Sequence, residues 1–192
     1  MGGPLLYEEI EDIYIKYPQY ANTKIFVETG TYKGETTRMA SKYFDRVYTF
    51  EIVESLYNES IETGKKEGCE NITYFLGDSV DGLNKMFEDK IKFSDSSLYF
   101  IDAHISGSDS GYNGKQLVPL MEELEVILTH SSTHSKNIFI IDDARFYIGK
   151  QENKPSDWKH ISTDTITELF KKHNVPIFTS YIKNDRYIIL TK

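Results

Sequence analysis

The chain has 192 residues, of which 39% are hydrophobic and 27% are charged, and its formal net charge is -8. This length and balance fit one globular domain over residues 1–192 and exclude a largely disordered chain. The excess of negative charge argues against nucleic acid as a partner, because no basic stripe is present to neutralise phosphates.

Two further features of the sequence bear on where the protein works. No run of 18 apolar residues occurs, so we expect no membrane-spanning helix and no membrane partner. The single cysteine, Cys69, excludes an internal disulfide and favours a reducing compartment. We therefore expect a cytoplasmic protein, and a homodimer is left open.

Apolar runs of strand length alternate with helical patterns, which is typical of a parallel α/β sheet. The N-terminal segment, residues 1–22, has apolar residues at helical spacing and is predicted to be a helical cap over the sheet or near the site entrance. The predicted strands are Ile25–Thr29, Val47–Ile52, Ile72–Leu76, Leu98–Asp102 and Ile138–Asp142. The predicted helices are Glu35–Phe44, Val53–Glu67, Asp81–Ile91, Lys115–Leu128 and Thr163–His173.

The C-terminal part of the chain has a different pattern. Two strand-like runs, Ile177–Lys183 and Arg186–Thr191, are joined by Asn184-Asp185, a residue pair that favours a tight hairpin turn. We therefore predict a doubly wound, Rossmann-like sheet of seven strands. It would be mostly parallel and would end in an antiparallel C-terminal hairpin.

The most informative stretch is residues 25–40, IFVETGTYKGETTRMA. It indicates a buried strand that ends near Glu28, a turn with Gly30 and Gly34 whose amides face a ligand, and the start of a helix. The glycine spacing differs from both the dinucleotide fingerprint and the phosphate-binding P-loop. A carboxylate before the turn would also repel a pyrophosphate, so it suits a cationic ligand better.

This stretch resembles the first motif of class I S-adenosylmethionine-dependent methyltransferases, E-x-G-x-x-x-G. It is most similar to the catechol-type and the macrocin-type, sugar-modifying O-methyltransferases, and the resemblance covers residues 24–192. It implies that S-adenosylmethionine is the cofactor, that Glu51 accepts the ribose hydroxyls, and that Asp78 and Ser79 lie beside the adenine. The predicted cofactor-binding residues are Glu28, Thr29, Gly30, Thr31, Tyr32, Gly34, Thr36, Thr37, Glu51, Ile52, Gly77, Asp78, Ser79 and Asp102.

Acidic residues end the fourth and fifth predicted strands: Asp102, and the pair Asp142 and Asp143. Strand ends are neighbours in a parallel sheet, so these carboxylates repel one another unless a cation lies between them. Oxygen ligands suit Mg²⁺, and the resembling metal-dependent enzymes carry acids at these positions. We predict Mg²⁺ or Mn²⁺ on Asp102, Asp142 and Asp143, which with His104 are the predicted catalytic residues. His104 is the candidate general base, although the lysine of the catechol type is missing here.

Two polar segments that follow strand ends, residues 105–114 and 145–161, are expected to form the acceptor site. Their Tyr112, Tyr147 and Trp158 could stack on a sugar ring, so the expected acceptor is a hydroxyl of a sugar, a glycan or a glycosylated metabolite.

Four alternatives remain open at this point. The first two are a catechol-like small-molecule O-methyltransferase and a non-catalytic S-adenosylmethionine-binding module. An oxidoreductase is opposed by the glycine spacing and by the hairpin. An iron-dependent hydroxylase is opposed by the single histidine at a strand end.

Overall fold

The computed structural model describes residues 3–88, 96–104, 117–130, 136–149 and 155–192. Within these residues a central sheet has seven strands in the order β3-β2-β1-β4-β5-β7-β6. The strands β1 to β5 pair in parallel, whereas β7 is antiparallel to both β5 and β6. This confirms the predicted Rossmann-like sheet with its C-terminal hairpin. The strands are β1 (Ile25–Thr29), β2 (Arg46–Glu51), β3 (Ile72–Leu76), β4 (Ser97–Ile101), β5 (Ile138–Ile141), β6 (Ile177–Lys183) and β7 (Arg186–Thr191).

Helices flank the sheet and agree with the predicted ones to within a few residues. Helix α2 ends before the predicted Phe44, and α5 begins at Leu120, directly after Pro119, a residue that is common at helix starts. The predicted end of α4 beyond residue 88 and the predicted start of α5 at 115–116 lie outside the described residues. The described helices are α1 (Tyr7–Lys16), α2 (Glu35–Ser41), α3 (Glu54–Lys66), α4 (Ser79–Glu88), α5 (Leu120–His130) and α6 (Thr163–Lys172), with short 3₁₀ turns at Pro18–Tyr20, Ala144–Phe146 and Ser156–Trp158.

Each face of the sheet carries its own hydrophobic core. On one face, Ile10 and Ile13 of α1 are buried in a cluster with Phe26 and Leu98 of the sheet. On the other face, α4, α5 and α6 bury side chains such as Leu124. Helix α1 therefore packs over this face of the sheet. No helix in the described ranges is long and apolar enough to cross a bilayer.

The central strands are buried on both sides, as is usual when helices cover both faces of a parallel sheet. All five residues of β1 are buried, and so are all five of β4. The polar side chains at the ends of these strands are therefore held in fixed positions by dense packing. Their carboxyl ends form one edge of the sheet, where the predicted site residues lie.

Candidate functional site

The turn after β1 is held between two neighbouring strands. Gly30 has a φ of +84°, and a Cβ built on it would lie 2.8 Å from the carbonyl oxygen of Asp102. The backbone N–H groups of Gly30 and Thr31 both donate to the carbonyl of Phe50, at 3.1 and 3.0 Å. Only glycine satisfies both the left-handed backbone and this close approach.

We expected the amides of this turn to face a ligand, but four of them donate hydrogen bonds within the protein. Besides those of Gly30 and Thr31, the N–H of Tyr32 donates to Glu51 Oε2 at 2.6 Å, and that of Gly34 donates to the Thr31 carbonyl at 2.8 Å. These amides are used within the protein because the turn is short and strongly curved. The turn is therefore preorganised by its own bonds and does not present these amides as an anion cradle.

Glu51, at the end of β2, binds both the turn that follows β1 and the loop that follows β2 itself. Its second oxygen, Oε1, accepts the N–H of Val53 at 2.8 Å, and the side chain is buried. Burial raises the pKa of Glu51, although these backbone donors oppose that effect. A carboxylate oxygen can accept more than one hydrogen bond, so capacity for the ribose hydroxyls is left. The ribose-binding role stays a prediction.

Glu28 lies beneath the turn and is 1% exposed. Its Oε2 accepts hydrogen bonds from the hydroxyl of Thr37 and, at 2.8 Å, from that of Thr49. Burial raises the pKa of Glu28 to about 7, against the effect of these two donors. The side chain thus ties β1 to α2 and β2, and its direct contact with a cofactor stays a prediction.

The predicted cofactor-binding residues separate into an accessible layer and a buried layer that supports it. The accessible layer consists of Gly30, Tyr32, Ile52, Gly77, Asp78 and Asp102. The buried layer consists of Glu28, Thr29, Thr31, Gly34, Thr36, Thr37, Glu51 and Ser79. Sequence pattern does not separate the two layers, because both follow the same strand ends.

The buried carboxyl of Glu28 predicts how stability depends on pH. Its folded-state pKa of about 7 lies above the ordinary value of 4.5, so the folded protein holds a proton that the unfolded chain releases. The stabilisation is complete below about pH 4.5 and is lost as the pH rises to about 7, at up to roughly 1.4 kcal/mol per pH unit. Urea unfolding at pH 5, 6 and 7 should show a flatter dependence for Glu28→Gln than for the wild type. Parallel slopes would contradict the assignment.

A cluster of three ionisable side chains lies at the ends of β4 and β5. Nε2 of His104 is 2.5 Å from Oδ2 of Asp143, and its Nδ1 is 3.5 Å from Oδ1 of Asp102. One ligand atom from each of the three lies within 4.8 Å of the others. The guanidinium of Arg145 also contacts Asp143. Within the described residues, this cluster is the one whose donors could hold a metal ion.

Asp142, which we predicted as a metal ligand together with Asp102 and Asp143, lies outside this cluster. Its Oδ1 is 3.2 Å from Nε of Arg186, and both side chains are almost fully buried. Asp142 and Asp143 follow the end of β5, and the backbone at Asp143 is left-handed, with a φ of 57°, so the two neighbouring side chains reach different partners. His104 brings a ligand atom to the cluster instead. A metal-binding role for Asp142 receives no support from this geometry.

The acids of the site differ in how well their charge is compensated. Burial and the neighbouring carboxylates of Asp142 and Asp143 raise the pKa of Asp102 well above its ordinary value. Burial also acts to raise the pKa of Asp143, but His104 and Arg145 outweigh it and lower that pKa. Asp102 is therefore the carboxyl that would gain most from a nearby cation.

The aromatic side chains after β5 are not available to stack on a sugar, contrary to our expectation. Tyr147 is 1% exposed and Trp158 is 6% exposed. Their rings stack on each other with centroids 5.7 Å apart, and Trp158 packs edge-on against His104 at 5.4 Å. They support the site from within. Residues 105–114, with Tyr112, lie outside the described residues.

Two residues that organise the site were missed by the sequence analysis. Arg186 was treated as an ordinary residue of a strand. Glu123 was given no role, yet its side chain is 0% exposed. A signal for Glu123 was present, since it lies beside Leu120, Leu124 and Ile127 in the apolar stripe of α5. An acid in such a stripe indicates a buried polar contact.

No protein-family model matches the sequence, and no curated protein matches it either. Solved structures do match the fold. An O-methyltransferase from Bacillus cereus in complex with S-adenosylhomocysteine has a TM-score of 0.66 and 15% identity, covering 100% of this chain and 83% of its own. The O-methyltransferase TomG from Streptomyces achromogenes, in complex with S-adenosylmethionine, has a TM-score of 0.64 and 11% identity, covering 97% and 80%.

A third similar structure acts on a different kind of acceptor. It is an rRNA methylase from Streptococcus thermophilus, with a TM-score of 0.53 and 14% identity, covering 94% of this chain and 95% of its own. The fold alone therefore does not select the acceptor. The chain shares the Rossmann-like fold of these S-adenosylmethionine-dependent methyltransferases.

Proposed function

We propose that this chain is an S-adenosylmethionine-dependent O-methyltransferase that uses a divalent metal and methylates a hydroxyl of a sugar, glycan or glycosylated metabolite. The observation that carries the proposal is the juxtaposition of two features at one sheet edge. The Asp102, His104 and Asp143 cluster lies beside the glycine turn, where Gly30 contacts the backbone of Asp102.

The cofactor fits the charge of the site. S-adenosylmethionine supplies a methyl group on a positively charged sulfur. Asp102 is partly accessible, and its pKa is raised by burial and by neighbouring carboxylates, so a cation nearby would relieve the repulsion. The accessible residues Gly30 and Tyr32 would contact the cofactor, while Glu28 and Glu51 hold the turn in shape from below.

The three clustered side chains also fit a divalent metal. When bound, such a metal lowers the pKa of a coordinated hydroxyl and so makes it a better nucleophile. Asp102, His104 and Asp143 would hold it through two carboxylates and one imidazole. An imidazole suits transition metals more than Mg²⁺, so this donor set favours Mn²⁺. In this role His104 would bind the metal and would not act as the general base.

The acceptor is the least constrained part of the proposal. A sugar is supported by the polar sequence of residues 105–114, and the net charge of -8 disfavours a polyanionic acceptor. A catechol-like hydroxyl is the second candidate acceptor, and the aromatic surroundings of His104 favour it. Trp158 packs edge-on against His104 at 5.4 Å, so the cluster has an apolar backing on that side. Because Trp158 is itself buried, it would lower the polarity of the site and would not stack on the acceptor.

Metal dependence gives a direct prediction for this site. We expect methyl transfer to stop in a chelator and to be restored more fully by Mn²⁺ than by Mg²⁺. Asp143→Asn should lower turnover by about tenfold to a hundredfold, the scale seen when groups at a metal site are removed. The same variant should bind S-adenosylhomocysteine with nearly unchanged affinity. Asp157→Asn is the matched control, because Asp157 is exposed and outside the cluster. Full activity in chelator would contradict a metal role and leave His104 as the activating group.

The acceptor is tested by a methyl-transfer screen with labelled cofactor against simple glycosides, catechols and nucleotides in parallel. Transfer to glycosides supports the sugar proposal. Transfer to catechols alone would replace it with the second candidate. Cofactor binding without any transfer would favour a non-catalytic binding module.

A further inference from the structure

Glu123 is a buried acid that the proposed chemistry does not use. It lies on α5, which packs against α4, and its side chain is 0% exposed. Burying a carboxyl group this deeply is costly unless its oxygens are hydrogen-bonded. Burial raises the pKa of Glu123 to about 8, against the effect of two hydroxyl donors. Burial of this carboxyl group costs folding free energy, so we looked for a function in the residues that it contacts.

The two hydroxyls come from different parts of the predicted cofactor site. Ser79, at the start of α4, donates to Oε1 of Glu123, and Thr29, at the end of β1, donates to Oε2 at 3.3 Å. The hydroxyl of Thr29 also accepts the N–H of Asp102, at 3.2 Å. One buried side chain thus connects the ends of β1 and β4 with the turn that follows β3.

We propose that Glu123 is a positioning residue. It fixes Thr29, Ser79 and the backbone of Asp102 relative to one another, so that these three residues form the floor of the cofactor site before the cofactor binds. The inference rests on the proposed function, because it assumes that the cofactor lies on this floor. Both hydrogen bonds of Glu123 lie inside a close-packed region, so removing the acid takes a partner from Thr29 and from Ser79 and loosens the contact of Asp102 with Thr29.

The chemistry of the side chain predicts which substitutions are tolerated. A carboxamide has nearly the same shape as a neutral carboxylic acid and offers an acceptor oxygen and an NH₂ group with two donors. Glu123→Gln should therefore keep both ties, since each hydroxyl can donate or accept. Glu123→Leu removes both ties, and Glu123→Asp keeps the acid but shortens its reach by one methylene group.

The test is calorimetric titration with S-adenosylhomocysteine, well below each variant's melting temperature. We expect Glu123→Gln to bind within about threefold of the wild type, and Glu123→Leu to bind at least tenfold more weakly. Leu124→Ala is the matched control for stability, because Leu124 is the next residue of α5, is fully buried, and destabilises through packing alone. Glu122→Gln controls for the loss of one carboxyl group.

The outcomes separate a positioning role from a structural one. If Glu123→Leu and Leu124→Ala lose thermal stability but both bind like the wild type, Glu123 only stabilises the fold and the proposal is overturned. If Glu123→Leu does not fold, Glu123→Asp takes its place, with weaker binding supporting the proposal and unchanged binding overturning it. A wild-type chain that binds no S-adenosylhomocysteine removes the proposed function, and the positioning role with it.

Discussion

Replacing Arg186 by leucine is expected to destabilise the protein by about 3–5 kcal/mol, the usual cost of removing one partner of a buried ion pair. Arg186 and Asp142 are both almost fully buried, and Nε of Arg186 is 3.2 Å from Oδ1 of Asp142. The same guanidinium contacts Glu9 and donates to the carbonyl of Gly3 at 2.7 Å. Leucine would leave Asp142 buried without its cation and would release the N-terminal segment.

Lys183→Met is the matched control for this prediction. Lys183 lies on the same hairpin and pairs with Asp12, but both side chains are about half exposed. Exposed pairs contribute little, so we expect a change of at most about 1 kcal/mol. Urea unfolding measures both variants. Equal, small effects would mean that the Arg186 and Asp142 pair contributes no more than a surface pair.

Replacing Gly30 by alanine is expected to abolish cofactor binding and to destabilise the fold. A Cβ at this position would lie 2.8 Å from the carbonyl oxygen of Asp102, and that backbone atom cannot rotate away. The positive φ adds a cost of roughly 1–2 kcal/mol for any residue with a Cβ. Relief of the clash would move the ends of β1 and β4 apart, which would cost about 1–3 kcal/mol more. It would also displace the cluster of Asp102, His104 and Asp143 from the turn.

Gly68→Ala isolates the contribution of the clash. Gly68 also has a positive φ, of +74°, but a Cβ there would meet nothing within 4 Å. This variant should therefore show the backbone cost alone and should bind S-adenosylhomocysteine like the wild type. Thermal unfolding together with a binding titration compares the two variants. Equal behaviour of the two alanine variants would refute the close approach at Gly30.

The fold could be predicted from the sequence because its signals are local. Strand β1 begins with three apolar residues, Ile25 to Val27, and ends with the polar Glu28 and Thr29. The Asn184-Asp185 pair specifies the hairpin turn that the structure contains. Helix limits were less certain, since hydrophobic spacing continues beyond the last hydrogen-bonded turn. Phe44 shows this, because it packs against Phe26 after α2 has already ended.

The candidate site was predicted only in part, because its arrangement depends on contacts between distant residues. Strand ends placed Asp102 and Asp143 together, and their convergence with His104 follows from the sheet. The pairing of Asp142 with Arg186 joins residues 44 positions apart, and no local pattern indicates it. The burial of Trp158 similarly depends on how the segment after β5 folds back. Side-chain direction was therefore the missing information.

Calorimetric titration of the wild-type chain with S-adenosylhomocysteine, with NAD titrated in parallel, is the most direct test of which cofactor the protein binds. We expect micromolar or tighter binding, a free energy of about -8 kcal/mol, and no binding of NAD. Glu51→Ala should weaken the interaction by about 1–3 kcal/mol, since it removes the acid that shapes the turn and is predicted to bind the ribose. Binding of NAD without binding of S-adenosylhomocysteine would contradict the account.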